Sequence, residues 1–197
     1  METNDLVATN DLWSRMTWWP RRRTHLMLTT DIRIRNARCA FTPEKFRVPL
    51  KLSSGPISEC YYAHVEIEAE NREGDRATGV GGIYLSDLWA FPGPGASADQ
   101  KTNAMKLIAR LLTERLAGAE GYRDAMQWGR LLADELEPAL LEAQRRLELA
   151  VPIPRLAGLV ASSPLDAALH DAWGKACGRS AYEMYHPSYL NEDLSVV

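Results

Sequence analysis

The stretch Ser162-Ser163-Pro164-Leu165-Asp166-Ala167-Ala168-Leu169-His170-Asp171-Ala172-Trp173-Gly174-Lys175-Ala176-Cys177-Gly178 reads as a helix with both ends written into it. Ser163 stands where an N-cap belongs, Pro164 takes the first helical position, where a missing N–H costs nothing, and Asp166 falls where the positive helix end favours an acid. Gly178 supplies a left-handed C-terminal stop. Leu165, Ala168, Leu169, Ala172, Trp173 and Ala176 recur at the three-and-four spacing of one face, and most are small, so the backbone can lie close against whatever it covers. On the other side Asp171 and Lys175 stand four apart with the acid first, a favourable order that reads as a solvated pair.

The segment Ala168–Tyr185 resembles the A-L-x-D-x-x-G-K-x-x-G-x-P-x-x-x-L signature that closes the N-terminal capping domain of the mandelate racemase and muconate lactonizing enzyme family, a branch of the enolase superfamily. Ser180 stands where that family often has Pro and His170 where it often has Trp, which fits a divergent subgroup. The resemblance implies that a (β/α) barrel follows the cap, binding Mg2+ and supplying a Lys or His base for work on carboxylate or acid-sugar substrates. Only residues 186–197 follow the signature. The expectation is therefore a chain with no catalytic residue, metal site or cofactor of its own. Its implied partner is a barrel subunit or a second copy of itself. The alternative is a stand-alone binding or protein-interaction domain without catalysis.

Composition allows an ordinary globular domain. The 197 residues are 46% apolar and 25% charged, enough to bury a core. A net charge of -3 argues against a nucleic-acid platform, and no apolar run reaches membrane length. Cys39, Cys60 and Cys177 are widely spaced and form no Cys-x-x-Cys pair, so they read as small buried hydrophobes of a reducing, cytoplasmic compartment rather than as bridges or zinc ligands.

Upstream of the closing helix the period shortens to two. Residues 1–30, with Trp13, Trp18, Trp19 and the run Arg21-Arg22-Arg23, show no period and read as a poorly ordered extension. Ile32 to Phe41 alternates as a half-exposed strand, with Ile32, Ile34, Asn36 and Arg38 on one face. Tyr61 to Glu70 is a stronger strand, and Ala77 to Ile83 returns as a third after the turn Asn71-Arg72-Glu73-Gly74-Asp75. Two loops flank this meander. Thr42–Glu59, with Pro43, Pro49, Ser53, Ser54, Gly55 and Pro56, joins the first two strands, and Tyr84–Asp99 holds Asp87, Trp89, Phe91 and Pro92-Gly93-Pro94-Gly95. The resemblance implies that loops at these two places fold over the barrel mouth, so Ser53, Ser54, Asp87, Trp89 and Phe91 are the lid candidates.

The remainder is helical: Ala98 to Ala117 carries one apolar stripe, and Tyr122 to Glu137 a second helix that Pro138 breaks or kinks. Arg145 to Leu149 reads as a short helical turn, and Val151 to Pro154 as a linker. Strands followed by helices make an α+β plan, a three-stranded antiparallel meander and a helical bundle, with the enolase N-terminal domain as the fold that the resemblance implies. The cap then spans 31–186, and 187–197 is a tail starting a linker to the barrel. No catalytic constellation emerges. His64, Glu66 and Glu68 share a strand face, where the wet side of a sheet accounts for them better than a metal does.

Overall fold

The computed structural model describes residues 27–52 and 55–192. The tryptophans of the expected N-terminal extension, Ser53, Ser54 and residues 193–197 lie outside the described residues. Three antiparallel strands form one sheet in the order β1-β2-β3: β1 spans Ile32–Leu52, β2 Gly55–Asn71 and β3 Arg76–Leu85. Helices α1 (Asp87–Ala90), α2 (Ala98–Gly118), α3 (Ala125–Asp134), α4 (Leu136–Arg146) and α5 (Arg155–Ala176) follow. α5 covers β3 and β2, α2 covers β1, and α3 and α4 pack on that helical layer. The plan is α+β, as the order of periods predicts. Among the described residues no helix is long and apolar enough to cross a membrane.

The meander stands, but its first loop does not. Thr42–Glu59 is not a surface connection: β1 and β2 stay paired from Thr42↔Tyr62 to Leu52↔Gly55, and β3 joins only from Tyr61 inward. The outer part is therefore a two-stranded ribbon in which each strand is an edge, so Pro43, Pro49 and Pro56 can sit where no N–H is needed. Pro49 falls in a register shift between Lys45 and Leu50. A second shift, between Ile34 and Asn36, reverses the faces of β1. Ile32 and Ile34 face the core, and beyond the bulge Ala37, Cys39 and Phe41 replace Asn36 and Arg38 on that side.

The start of the closing helix also needs correction. Ser163 is no cap and Asp166 is not in a first turn: α5 begins at Arg155, and Pro164 lies inside it. An interior proline strands the carbonyl four residues back, here that of Val160. The Ser163 hydroxyl donates to that oxygen at 3.0 Å, and Ser162 donates to Leu159 O at 3.0 Å, so the helix runs through. Its end is as expected. Gly178 at φ 62°, with Gly178 N–H on Lys175 O and Arg179 N–H on Gly174 O, is a Schellman stop. α2 opens on a capping box between Ser97 and Gln100, and α3 on another between Asp124 and Gln127. The expected helix Tyr122–Glu137 is broken at Glu135 rather than at Pro138, which sits in the first turn of α4, where it costs no bond. Arg145 and Arg146, expected in a separate short turn Arg145–Leu149, are the last residues of α4.

The core forms where α5 meets the sheet. Leu165, Ala168, Leu169, Ala172, Trp173 and Ala176 are all buried, the face the spacing predicts. The fully buried Trp173 donates its indole N–H to Thr30 O at 2.9 Å. Opposite, β3 turns Gly79 and Gly81 toward the helix. A Cβ on Gly79 would stand 2.1 Å from Ala168 O and 2.2 Å from Ala172 N, and one on Gly81 2.1 Å from Pro164 O. Helix and strand are in backbone contact.

Two stability measurements follow from this packing. Gly79→Ala should cost about 3 kcal/mol in denaturant melts, because backbone cannot yield to the added carbon, whereas Gly118→Ala, with nothing within 4 Å of the new Cβ, should cost nothing. Trp173→Ala should cost about 3–5 kcal/mol. Losses under about 1 kcal/mol at both core positions would mean that this face is not the core.

Candidate functional site

The base of the ribbon, the end of β3 and the start of α2 enclose a cavity of about 400 Å3. Pro43, Pro56, Ile57 and Leu85 give it apolar walls, and Ser86, Asp87 and Asp99 bring polar groups. The chain arrives here because β3 ends at Leu85 and α1 turns it at once through Asp87–Ala90, a short helix inside what the sequence presents as the loop Tyr84–Asp99. Of the lid candidates, Asp87 lies in the wall and Trp89 stands beside it on α1, 44% exposed. Phe91 is elsewhere. It is 2% exposed, part of the core, with the Lys101 ammonium 5.7 Å from its ring centre. Burial within the chain's own core therefore answers the exposure that its loop position suggests. Ser53 and Ser54 lie outside the described residues.

The sheet face turned away from the helices is divided. Near the ribbon, Tyr84 packs edge-on against Phe46 and Tyr62, with centroids 5.3 and 5.1 Å apart, and donates its hydroxyl to Glu44 at 2.7 Å. That carboxylate raises the pKa of Tyr84. Further along, Arg38 bonds Glu66 at 2.8 Å and lies 3.7 Å from Glu68, while His64 stands 3.3 Å from Glu66. At the far end Arg33, Arg35 and Arg76 converge on Glu70 at 2.6, 2.9 and 2.7 Å. Hydrogen bonding from Arg33 leads the effects that hold Glu70 down at about 2.

These acids do not suit a resident Mg2+, which needs hard oxygen ligands free to converge. Glu66 and Glu68 are engaged by Arg38 and Glu70 by three guanidiniums, and among the described residues no three His, Cys, Asp or Glu side chains are set to hold a metal ion. The three thiols are half-buried and free, and burial pushes that of Cys177 up to about 11.

Three arrangements escape a reading by pattern. Asp171 and Lys175 are paired at 2.6 Å, but they are more than a solvated couple: Asp171 accepts the Val80 N–H at 2.8 Å and Lys175 donates to Thr78 O at 3.3 Å, closing part of the free edge of β3. Asn191 ties the chain's far end back, its N–H on Asp124 and its amide on Asp31 and Gln127. Burial, the largest effect, raises the pKa of Asp31. His170 lies 2.8 Å from the Tyr185 hydroxyl and 3.6 Å from Asp166; only the four-residue spacing of Asp166 and His170 hints at this in the sequence.

No protein-family profile and no curated protein matches the chain. The solved structures it is similar to are enolase-superfamily enzymes. A dipeptide epimerase from Enterococcus faecalis V583, complexed with Mg and L-Leu-L-Tyr, shares 16% identity over 77% of this chain and 34% of its own, with a TM-score of 0.43. The L-Ala-D/L-Glu epimerase from Bacillus subtilis shares 20% over 77% and 34%, also at 0.43. An enolase from Bradyrhizobium with magnesium and mandelic acid shares 16% over 80% and 35%, at 0.42. The chain thus spans about a third of the length of these structures.

The Glu70 cluster sets an acid limit. Its folded pKa lies below the unfolded value of 4.5, so its stabilisation is complete above 4.5 and is lost as pH falls toward about 2. Asp31 works in the opposite sense, because a raised folded pKa makes protonation favour the folded state. Glu70→Gln should therefore flatten the fall in stability between pH 4.5 and 2, measured by denaturant melts at stepped pH. An unchanged slope would remove Glu70 from the acid response.

Proposed function

We propose that residues 31–186 form a capping domain that closes over a substrate held on a (β/α) barrel, with residues 187–197 beginning the linker. The observation that carries this reading is that both segments expected to form a lid, the ribbon and the chain around α1, border one cavity at the same end of the sheet. The sequence resemblance of Ala168–Tyr185 supports it, and the substrates it implies are carboxylates or acid sugars handled with Mg2+ on the barrel. Asp87 and Trp89 are the described lid residues, and Ser53 and Ser54 are the further lid residues of this proposal. The described side chains of this domain supply shape and exclusion of water, and no chemical step is assigned to them.

A cap needs a surface to rest on. Val48 (80% exposed) and Leu50 on the ribbon, Trp89 on α1 and Leu156 and Leu159 at the start of α5 are apolar and exposed. Contacts between domains of one chain bury on the order of 600–1,500 Å2, and apolar area is worth about 25 cal/mol per Å2 when covered. Size and mass measurements over a concentration series should show self-association, or uptake of a separately expressed barrel chain. A monomer at high concentration that binds no apolar dye, and stays so without residues 1–30, would overturn the reading. The purified chain alone should turn over no carboxylate acid with Mg2+. Mg2+-dependent racemisation, lactonisation or dehydration that follows the protein through purification would place catalysis on it instead.

A further inference from the structure

We infer that the cavity between the ribbon base and α1 takes a small organic ammonium ion. The inference rests on the reading of these two segments as the ligand-facing edge of the chain, and it names the chemistry that edge recognises. Ser86 lines the cavity, is 6% exposed, and its hydroxyl has no hydrogen-bond partner among the described residues. Buried polar groups are as a rule partnered, so an orphaned hydroxyl in a cavity wall marks a place for a donor or acceptor from outside the chain. A serine hydroxyl has two lone pairs to offer a donor.

The charge of the wall decides which ligand. Glu59, Asp87 and Asp99 all line the cavity, and none makes an ion pair among the described residues. Asp87 is near enough to the Cys60 thiol to help raise its pKa. Two cations stand close by. Lys106 faces Asp99, but its ammonium sits 2.9 Å from the centre of the Tyr61 ring. Lys45 is opposite Glu59 in the register, yet forms no ion pair with it. Three carboxylates thus border a half-apolar space beside two lysines, neither of which forms an ion pair with them among the described residues. A bare metal ion does not suit it, since no three such ligands among the described residues converge. A volume of about 400 Å3 with walls from Pro43, Pro56, Ile57 and Leu85 suits an ammonium carried on a short hydrocarbon body. Asp87, next to Ser86, binds the charged head, Glu59 and Asp99 add negative charge around it, the Ser86 hydroxyl accepts a hydrogen bond from one of its N–H groups, and the body lies on the apolar wall.

Titration of n-butylammonium chloride into the full chain, followed by backbone amide NMR, tests this. The amides of Ser86, Asp87 and Leu88 should shift saturably with n-butylammonium and not with n-butanol or butyrate, which keep the body and change the head. Asp87→Asn should weaken binding at least tenfold. Glu59→Gln, on the exposed ribbon and without consequence for folding, should weaken it several-fold. Equal binding of n-butanol, absence of a saturable shift, or unchanged affinity in both variants would overturn the proposal. The capping reading would then still stand or fall on mass and turnover, which do not depend on this titration.

Discussion

A helix can lie in backbone contact with a strand only where the strand offers no Cβ at the crossing and the helix offers only small side chains, and this constraint governs the rest of the molecule. Gly79 and Gly81 on β3 meet Pro164, Ala168 and Ala172 on α5, with no room for a single added carbon. Everything larger is displaced to the flanks. Leu165 and Leu169 fill the space beside the contact, Trp173 closes it toward Thr30, and α2 finds its place over β1 because α5 already occupies β2 and β3. Tight packing of this kind is what makes a sheet of three strands sufficient, since close-packed interiors lose contact energy steeply when neighbours separate.

The same closeness sets the polar chemistry along the contact. A helix flush against an edge strand can reach that strand's outward backbone groups, which is why Asp171 and Lys175 serve Val80 and Thr78 rather than only each other. It also explains how Pro164 is tolerated: the helix must run straight over the glycines, and Ser163 supplies the bond that the proline cannot. At the opposite end, Asn191 joins the acids Asp31 and Asp124, which holds it beside the strand that opens the sheet.

Much of this could be read from residue order, and the failures have physical causes. The apolar face of α5 and its Gly178 stop were legible because spacing and left-handed glycine are local properties. The N-cap at Ser163 was not, because Ser-Pro reads equally well as a helix start and as an interior site repaired by a hydroxyl. The ribbon was hidden by its prolines, which signal loops unless a strand is known to be an edge. Asp87 and Phe91 share the same loop signature, yet Asp87 lies in the cavity wall and Phe91 in the core; Ser86 and Glu59 carry no local signature at all.

By itself, the sequence determined the class of fold: alternation at two residues, then spacing at three and four, leaves an antiparallel meander and a helical layer as the plan that buries both apolar faces. It also determined that small residues on the closing helix would allow a close approach. Only the tertiary structure decided what that helix approaches, which carboxylates are held by arginines and which face a cavity. Those outcomes depend on residues far apart in the chain meeting at fixed distances, such as Glu70 with Arg33 or Asp171 with Val80. Periodicity reports which side of an element is buried, and it contains no term for the partner on the other side.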